Sequence, residues 1–181
     1  MFSIFFKRTQ VNSFQTLKER CTLMFPIIVS ACLSGLPVRY DGRVVPYENT
    51  TLTRWQREGR LLSVCPEILA GLPTPRPAAE IVNGDGKAVL TGKARIKDMN
   101  GNDVTDYFIK GAMAVLRCAL SFKVSTAILK ENSPSCACHS VYDGSFSGVL
   151  KPGQGVTAAL LHINGVAVFS EDELAFLNQA G

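Results

Sequence analysis

The chain lacks any apolar run long enough to cross a bilayer, which takes about 20 consecutive apolar residues. It also lacks internal repeats and low-complexity tracts. Hydrophobic residues nonetheless make up 46% of the 181 positions and charged residues 19%, which is too apolar for a disordered chain. These features argue against membrane-spanning, repeat and disordered proteins, and they predict one soluble domain with a hydrophobic core.

A secretory signal is also missing, because the apolar residues 1–6 precede the basic pair Lys7-Arg8, the reverse of the usual order. The six cysteines are irregularly spaced in a long chain, so they do not predict a disulfide framework. We therefore expect a cytoplasmic protein in a reducing environment, where thiolates are free to bind metal.

The net positive charge is small outside the N-terminal residues. The formal net charge is +4, and residues 1–23 contribute +3 of it, which leaves +1 for residues 24–181. A domain that binds nucleic acid normally has a basic face of its own. We therefore expect neither a large nucleic acid nor a membrane as a partner, and we expect a monomer that acts on a small molecule.

The domain is expected to begin near Met24, just before the first strand signal. We interpret residues 1–23 as an extension outside the core and residues 24–181 as a single domain. Proline and turn signals such as Asn83-Gly84-Asp85-Gly86 are concentrated between about 72 and 102. They indicate a small β-hairpin insertion that could act as a flap.

Short apolar runs alternate with helix signals along the rest of the chain. Strands are predicted for residues 26–32, 61–64, 126–130 and 166–169, and helices for residues 50–58, 104–121 and 156–164. This alternation predicts an α/β fold with an open, mostly parallel sheet, right-handed crossovers and helices on both faces.

Three of the predicted strands end at a cysteine or shortly before one. Cys32 and Cys65 follow the first two strands, and Cys136 lies just beyond the third. In an open parallel sheet, ligands bind outside the carboxyl ends of the strands. A single buried cysteine is usually a small core side chain, but three at equivalent positions predict one shared metal site.

Three thiolates without an obvious fourth ligand suit two kinds of site. One is a catalytic zinc ion with an open position, and the other is a 4Fe-4S cluster with one iron that the protein leaves free. Cys138 or His139 could complete a zinc site. We favour the cluster, because Cys136 and Cys138 are too close in sequence to bind one ion easily and no Cys-x-x-Cys pair is present.

Polar side chains flank two of these cysteines. Glu67 lies two residues beyond the second cysteine, and it could be a general base that activates water or an ordinary surface acid. Ser133 and Ser135 precede the third cysteine and could present hydroxyls to a ligand or stabilise a turn. Gly153 and Gly155 could leave amides free for an anion at the start of the following helix.

Eight segments of the chain match the motifs of a known family. They are Val29–Leu33, Pro37–Gly42, Val64–Ile68, Gly71–Arg76, Leu129–Glu131, Ser133–Cys136, Tyr142–Gly148 and Gly155–Ala158. On these motifs the sequence resembles the thiouracil desulfidases, a bacterial family long described as a domain of unknown function. The likeness covers nearly the whole chain after Met24.

The resemblance implies an iron-sulfur enzyme, a hydrolase or lyase that removes the sulfur of a thiouracil-like base or nucleotide as sulfide, without net oxidation or reduction. It also implies that Cys32, Cys65 and Cys136 hold a 4Fe-4S cluster, and that Glu67 and a serine of the segment Ser133–Cys136 are catalytic. We expect that serine to be Ser133. We also expect Ser135, Arg39 and Lys130 to bind the substrate.

Two other functions are compatible with the same cysteines. One is a zinc or iron-sulfur binding module without catalysis, which would leave any reaction to a partner. The other is thiol redox chemistry that uses the closely spaced Cys136 and Cys138.

Overall fold

Parallel strands form the centre of the structure, a computed structural model that describes residues 26–44 and 47–177. The strands of this part of the chain are, in order, β1 (Ile27–Ser30), β2 (Leu61–Val64), β3 (Ala79–Val82), β4 (Arg95–Asp98), β5 (Thr126–Leu129), β6 (Ser140–Tyr142), β7 (Leu150–Pro152) and β8 (Ala167–Ser170). The extension expected at residues 1–23 lies outside the described residues.

Helices alternate with these strands. They are α1 (Thr50–Arg57), α2 (Pro66–Leu69), α3 (Gly86–Leu90), α4 (Thr105–Ser121), α5 (Val156–Ile163) and α6 (Leu174–Leu177), with short 3-10 helices at Ala31–Ser34 and Glu171–Glu173. None of these helices is long and apolar enough to cross a membrane.

The central sheet is open and parallel, with the strand order β2-β1-β5-β8, while β3-β4 and β6-β7 form two antiparallel pairs. Successive side chains of a strand point to opposite faces of the sheet. Ile28 therefore packs in one core cluster with Val115 of α4, whereas Val29 packs in another with Trp55 of α1. The predicted α/β fold with helices on both faces is confirmed.

Local capping interactions set several helix ends. The Asn49 side chain accepts hydrogen bonds from two amides of the first turn of α1, at 2.9 and 3.2 Å. The Asp103 carboxylate accepts the amide of Thr105 (2.9 Å) at the start of α4. Ser170 and Glu173 form a capping box at the C-terminal turn.

The segment predicted to be a hairpin insertion, residues 72–102, contains a helix as well as paired strands. β3 and β4 pair antiparallel, with Ile81 opposite Ile96, and both side chains are fully buried. The two strands are joined by α3. This helix begins after Asp85, because the Asp85 carboxylate accepts an amide of the first turn at 2.9 Å. The Asn83–Gly86 signal, interpreted from the sequence as a turn between strands, therefore begins a helix.

Candidate metal and substrate site

A cavity of about 420 Å³ lies at the carboxyl ends of β1, β2 and β5, where open parallel sheets bind ligands. Cys32 lies in the 3-10 helix after β1, Cys65 follows β2, and Cys136 lies in the loop after β5. All three cysteines line this cavity. The structure therefore brings the three predicted ligands to one cavity from three separate segments of the chain.

Burial raises the pKa of each of these three thiols. The rise is largest for Cys136, and burial is its main cause. The neighbouring Cys65 and Cys32 raise the pKa of Cys136 further, whereas a hydrogen bond from the Ser30 hydroxyl lowers it. Several thiolates in one buried site repel one another and lose hydration. A positively charged centre would therefore be needed to hold all three deprotonated.

Cys138 and His139, the two candidates for a fourth ligand, do not line the cavity. Cys138 is buried in the core, and its Sγ lies 3.8 Å from the carbonyl oxygen of Cys136. Burial, followed by nearby glutamates, raises the pKa of Cys138, which disfavours the thiolate needed for thiol redox exchange. The exposed His139 instead pairs with Glu173, with 2.8 Å between Nε2 and Oε2.

A site for a single zinc ion is not evident in the described residues. No group of three or more His, Cys, Asp or Glu side chains in this part of the chain is arranged to hold one metal ion. A zinc site requires all its thiolates about 2.3 Å from the same ion, whereas an iron-sulfur cluster binds its thiolates through different irons. The cavity therefore does not favour the zinc alternative.

Glu67 lies in the first turn of α2 and lines the cavity. Its Oε2 accepts a hydrogen bond from Arg76 Nε (2.7 Å) and lies 2.6 Å from Arg76 Nη2 in an ion pair. The two side chains are only 14% and 6% exposed, so this ion pair is largely removed from water. Burial raises the pKa of Glu67, and the Arg76 guanidinium offsets part of that rise. A carboxylate with a raised pKa can accept a proton from a water molecule.

Two other glutamates line the cavity, but backbone amides occupy their carboxylates. Glu80 Oε2 accepts the amides of Gly144 and Phe146, both at 3.0 Å. Glu131 accepts the amides of residues 138–140 at 2.8 to 3.2 Å. Among the acidic residues that line the cavity in the described part of the chain, Glu67 is the one whose carboxylate binds no backbone amide.

The two predicted serines lie in different environments. Ser133 lines the cavity, and its Oγ accepts the amides of Ser135 (3.1 Å) and Cys136 (3.2 Å), so it also stabilises the turn before the third cysteine. Ser135 does not line the cavity. Its side chain is fully buried, with Oγ 3.1 Å from Thr157 Oγ1. The structure therefore gives Ser135 a structural position and does not support the predicted contact with substrate.

The amides at the start of α5 are not free to bind an anion. The amides of residues 155–157 donate to carbonyls of residues 134–137 at 2.8 to 3.0 Å. The interpretation of Gly153 and Gly155 as an anion site is therefore wrong. These hydrogen bonds instead hold the loop that carries Cys136.

Arg39 and Lys130, the predicted cationic substrate-binding residues, both line the cavity. Lys130 Nζ forms an ion pair with the buried Glu171. Arg39 Nε is buried without a hydrogen-bond partner among the described residues, and Asp41 Oδ1 lies 3.6 Å from it. Because a buried donor without a partner is unfavourable, a ligand that accepts from Arg39 would be stabilised.

The cavity lies within the part of the chain that matches a known family model. The model is described as 2-thiouracil desulfurase, and it matches residues 27–173. The chain belongs to the 2-thiouracil desulfurase family. The resemblance predicted from the motifs is thereby confirmed, and the matched range includes every residue that lines the cavity.

Two proteins share most of their length with this member of the 2-thiouracil desulfurase family. YbbK of Bacillus subtilis (strain 168), which is described as uncharacterized, is 45% identical over 148 residues, covering 82% of this chain and 97% of YbbK. The solved structure of TudS, described as a 4Fe-4S-dependent thiouracil desulfidase, is 44% identical with a TM-score of 0.77. The match covers 86% of this chain and 97% of TudS.

Several polar residues that line the cavity were not predicted as site residues from the sequence. They include Ser30, Arg76, Glu80 and Glu131. Ser30, Arg76 and Glu131 lie in segments that resemble the family, so their place in those segments was a usable signal. Glu80 lies in β3, outside these segments, and only its burial (7% exposed) and its contacts in the folded chain identify it.

Proposed function

We propose that this chain removes the sulfur of a thiolated pyrimidine such as 2-thiouracil and releases it as sulfide, without net oxidation or reduction. In this proposal Cys32, Cys65 and Cys136 hold a 4Fe-4S cluster. The observation that carries the proposal is that these cysteines line one cavity together with the buried carboxylate of Glu67. Membership of the 2-thiouracil desulfurase family supports the reaction, and the description of TudS supports the cofactor.

The side chains of the cavity fit such a cluster. All three cysteines are free, and thiolates are the usual ligands of iron-sulfur clusters. Their raised pKa values imply that the thiols lose their protons as the cluster binds, and the positive charge of the irons then offsets the cost of burying thiolates. Three protein ligands leave a coordination position for substrate.

When bound, the cluster supplies a Lewis-acidic iron that draws electron density from a thiocarbonyl group. The net reaction balances without an electron donor. Water provides the oxygen of the new carbon-oxygen double bond, the carbon-sulfur double bond breaks, and both hydrogens of the water leave with the sulfur as hydrogen sulfide. These bond changes are those of a hydrolase.

Glu67 is the residue that we assign to activation of this water. Its carboxylate accepts a proton as the water oxygen attacks the ring carbon, and it then returns the proton to the departing sulfur. Glu80 and Glu131 are less suited to this role, because backbone amides occupy their carboxylate oxygens.

Ser133, Arg39 and Lys130 bind and orient the substrate in this proposal. Ser133 Oγ accepts two amides, which leaves its hydroxyl hydrogen to donate to a carbonyl oxygen of the pyrimidine. Arg39 Nε supplies a second donor. Lys130 is held at the cavity by Glu171 and contributes positive charge.

The direct test of the reaction is anaerobic incubation of the cluster-loaded protein with 2-thiouracil in water labelled with heavy oxygen, with no reductant present. We expect equal amounts of sulfide and uracil, and one labelled oxygen in each uracil. Glu67→Gln keeps the size of the side chain but removes the base, so we expect the rate to fall by about 100-fold or more at unchanged iron content.

Glu58→Gln is the matched control, because Glu58 lies outside the cavity at the end of α1 and pairs with arginines there. It is expected to leave the rate unchanged. Unlabelled uracil, or a requirement for an electron donor, would show that the reaction is not hydrolytic. Full turnover in Glu67→Gln at normal iron content would show that another group activates the water.

A further inference from the structure

Arg76 forms hydrogen bonds to several groups beside the cavity in addition to its ion pair with Glu67. Besides its two contacts with Glu67, its Nη2 donates to the carbonyl of Val38, and its Nη1 donates to the carbonyl of Pro73 and the hydroxyl of Thr74, all at 3.2 Å. Its backbone amide donates to the carbonyl of Tyr40 at 2.7 Å. One nearly buried side chain therefore connects three separate segments beside the cavity.

Both contacts between Arg76 and Glu67 are made to the same carboxylate oxygen. Nε and Nη2 lie 2.7 and 2.6 Å from Oε2, and no hydrogen bond to Oε1 is present among the described residues. A planar guanidinium that binds one oxygen through two nitrogens restricts rotation of the carboxylate. Oε1 is then the oxygen left to take a proton.

The segment that Arg76 holds through Val38 and Tyr40 also carries a predicted substrate-binding residue, Arg39. The Val38 carbonyl oxygen also accepts a hydrogen bond from the Cys65 thiol, with 3.9 Å between the oxygen and Sγ. The same guanidinium therefore links the carboxylate of Glu67 to the segment on which Arg39 lies. A shift of Arg76 would move the base relative to the substrate-binding groups.

We propose that Arg76 is a positioning residue for the desulfuration reaction, which acts through Glu67 by holding Oε2 and leaving Oε1 for the attacking water. The inference rests on the proposed function of Glu67. Lysine cannot replace Arg76 in this arrangement, because a single ammonium group cannot bind the carboxylate through two nitrogens and also reach the carbonyls of Val38 and Pro73 in one plane.

The test compares Arg76→Met and Arg76→Lys with the unchanged protein, each loaded with cluster anaerobically and assayed for iron content, kcat and KM with 2-thiouracil. At normal iron content we expect kcat to fall by about 10- to 100-fold in both variants, because a misplaced catalytic group lowers the rate steeply. KM should change by less than about threefold. Arg95→Met is the control, since Arg95 is exposed and pairs with Asp103 outside the cavity.

A double variant, Glu67→Gln with Arg76→Met, shows whether Arg76 acts through Glu67. We expect it to be no slower than Glu67→Gln alone, within about threefold, because the group that Arg76 positions is already absent. Losses that multiply in the double variant would overturn the inference, as would normal kcat in Arg76→Lys at normal iron content. Normal turnover in Glu67→Gln alone would instead overturn the proposed function, so the two failures are distinguishable.

If Arg76→Met does not retain iron, the lysine variant carries the same test. Arg76→Lys preserves the charge and most of the volume of the side chain, so it is the variant expected to fold and load normally. Its kcat at normal iron content then decides the question, with a fall of about tenfold supporting the inference.

Discussion

At the scale of single residues, three glutamates in one cavity differ in chemistry because their partners differ. Glu80 and Glu131 accept backbone amides, which fixes the loops at residues 143–146 and 138–140. Glu67 is paired with a side chain and is largely buried, which raises its pKa and suits it to accept a proton. The residue type alone therefore does not determine which carboxylate can act as a base.

The pair formed by His139 and Glu173 has a stability contribution that depends on pH. The hydrogen bond that His139 donates to the Glu173 carboxylate raises the pKa of His139. Burial raises the pKa of Glu173, but hydrogen bonds from His139 and Ser170 lower it below its ordinary value. The histidine contribution is complete below its unfolded pKa of about 6.5 and is lost as the pH rises through the folded value. The glutamate contribution is complete above its unfolded pKa of about 4.3, and it is lost as the pH falls through the lower pKa of the folded state.

We predict that His139→Gln lowers the free energy of unfolding by about 0.5 kcal/mol or less at about pH 5.5, and by less than that at about pH 8.5. The effect is small because the His139 side chain is 58% exposed, so solvent screens the pair. Urea unfolding at the two pH values measures it. His162→Gln on α5 is the control. A loss that is the same at both pH values would show that the charge of His139 contributes nothing.

At the scale of secondary-structure elements, the start of α5 and the loop after β5 form one unit. The first amides of α5 donate to carbonyls in the loop that carries Cys136, and Ser135 and Thr157 join the two through their hydroxyls. Gly155 lies at the closest approach, where an added Cβ would be 2.5 Å from the Ser135 carbonyl and 2.7 Å from the Cys136 nitrogen. The position of the third cysteine therefore depends on this glycine.

We predict that Gly155→Ala destabilises the protein by about 1 to 3 kcal/mol, because the loop must move to admit a methyl group. It should also lower the amount of iron bound after anaerobic loading, since Cys136 moves with the loop. Thermal unfolding and iron analysis measure the two effects.

Gly165→Ala separates a local effect at the site from general destabilisation. Gly165 has a positive φ of 80°, and an added Cβ there would meet nothing within 4 Å. Alanine at this position should cost about 1 kcal/mol through backbone strain and leave iron binding intact. Normal iron content in Gly155→Ala would contradict the role given to this glycine.

At the scale of the whole molecule, local patterns predicted the central sheet well. Leu61–Val64 was predicted with its observed bounds, because an apolar run is recognised within a few neighbouring residues. The equivalent placement of the three cysteines at strand ends followed from the parallel topology, and it brought all three to one cavity.

The errors have a common physical origin in contacts between distant residues. Gly153 and Gly155 were interpreted as leaving amides free for an anion, but their amides donate to the carbonyls of His139 and Ala137, which lie well before them in the chain. Ser135 is turned into the core by Thr157, and Glu80 is placed at the cavity by amides of the loop at 143–146. No periodicity or spacing in one sequence specifies such pairings.

We propose that three cysteines at three strand ends hold one iron-sulfur cluster, and the decisive measurement is the metal content of variants in which one cysteine at a time is replaced. Iron and acid-labile sulfide are measured after anaerobic loading of Cys32→Ser, Cys65→Ser and Cys136→Ser. The partly exposed Cys118, changed to serine, and Cys138, changed to alanine, serve as controls outside the cavity. We expect the first three variants to lose both iron and sulfide and the controls to keep normal amounts of both. Full cluster content in any of the first three, or its loss in Cys138→Ala alone, would contradict it.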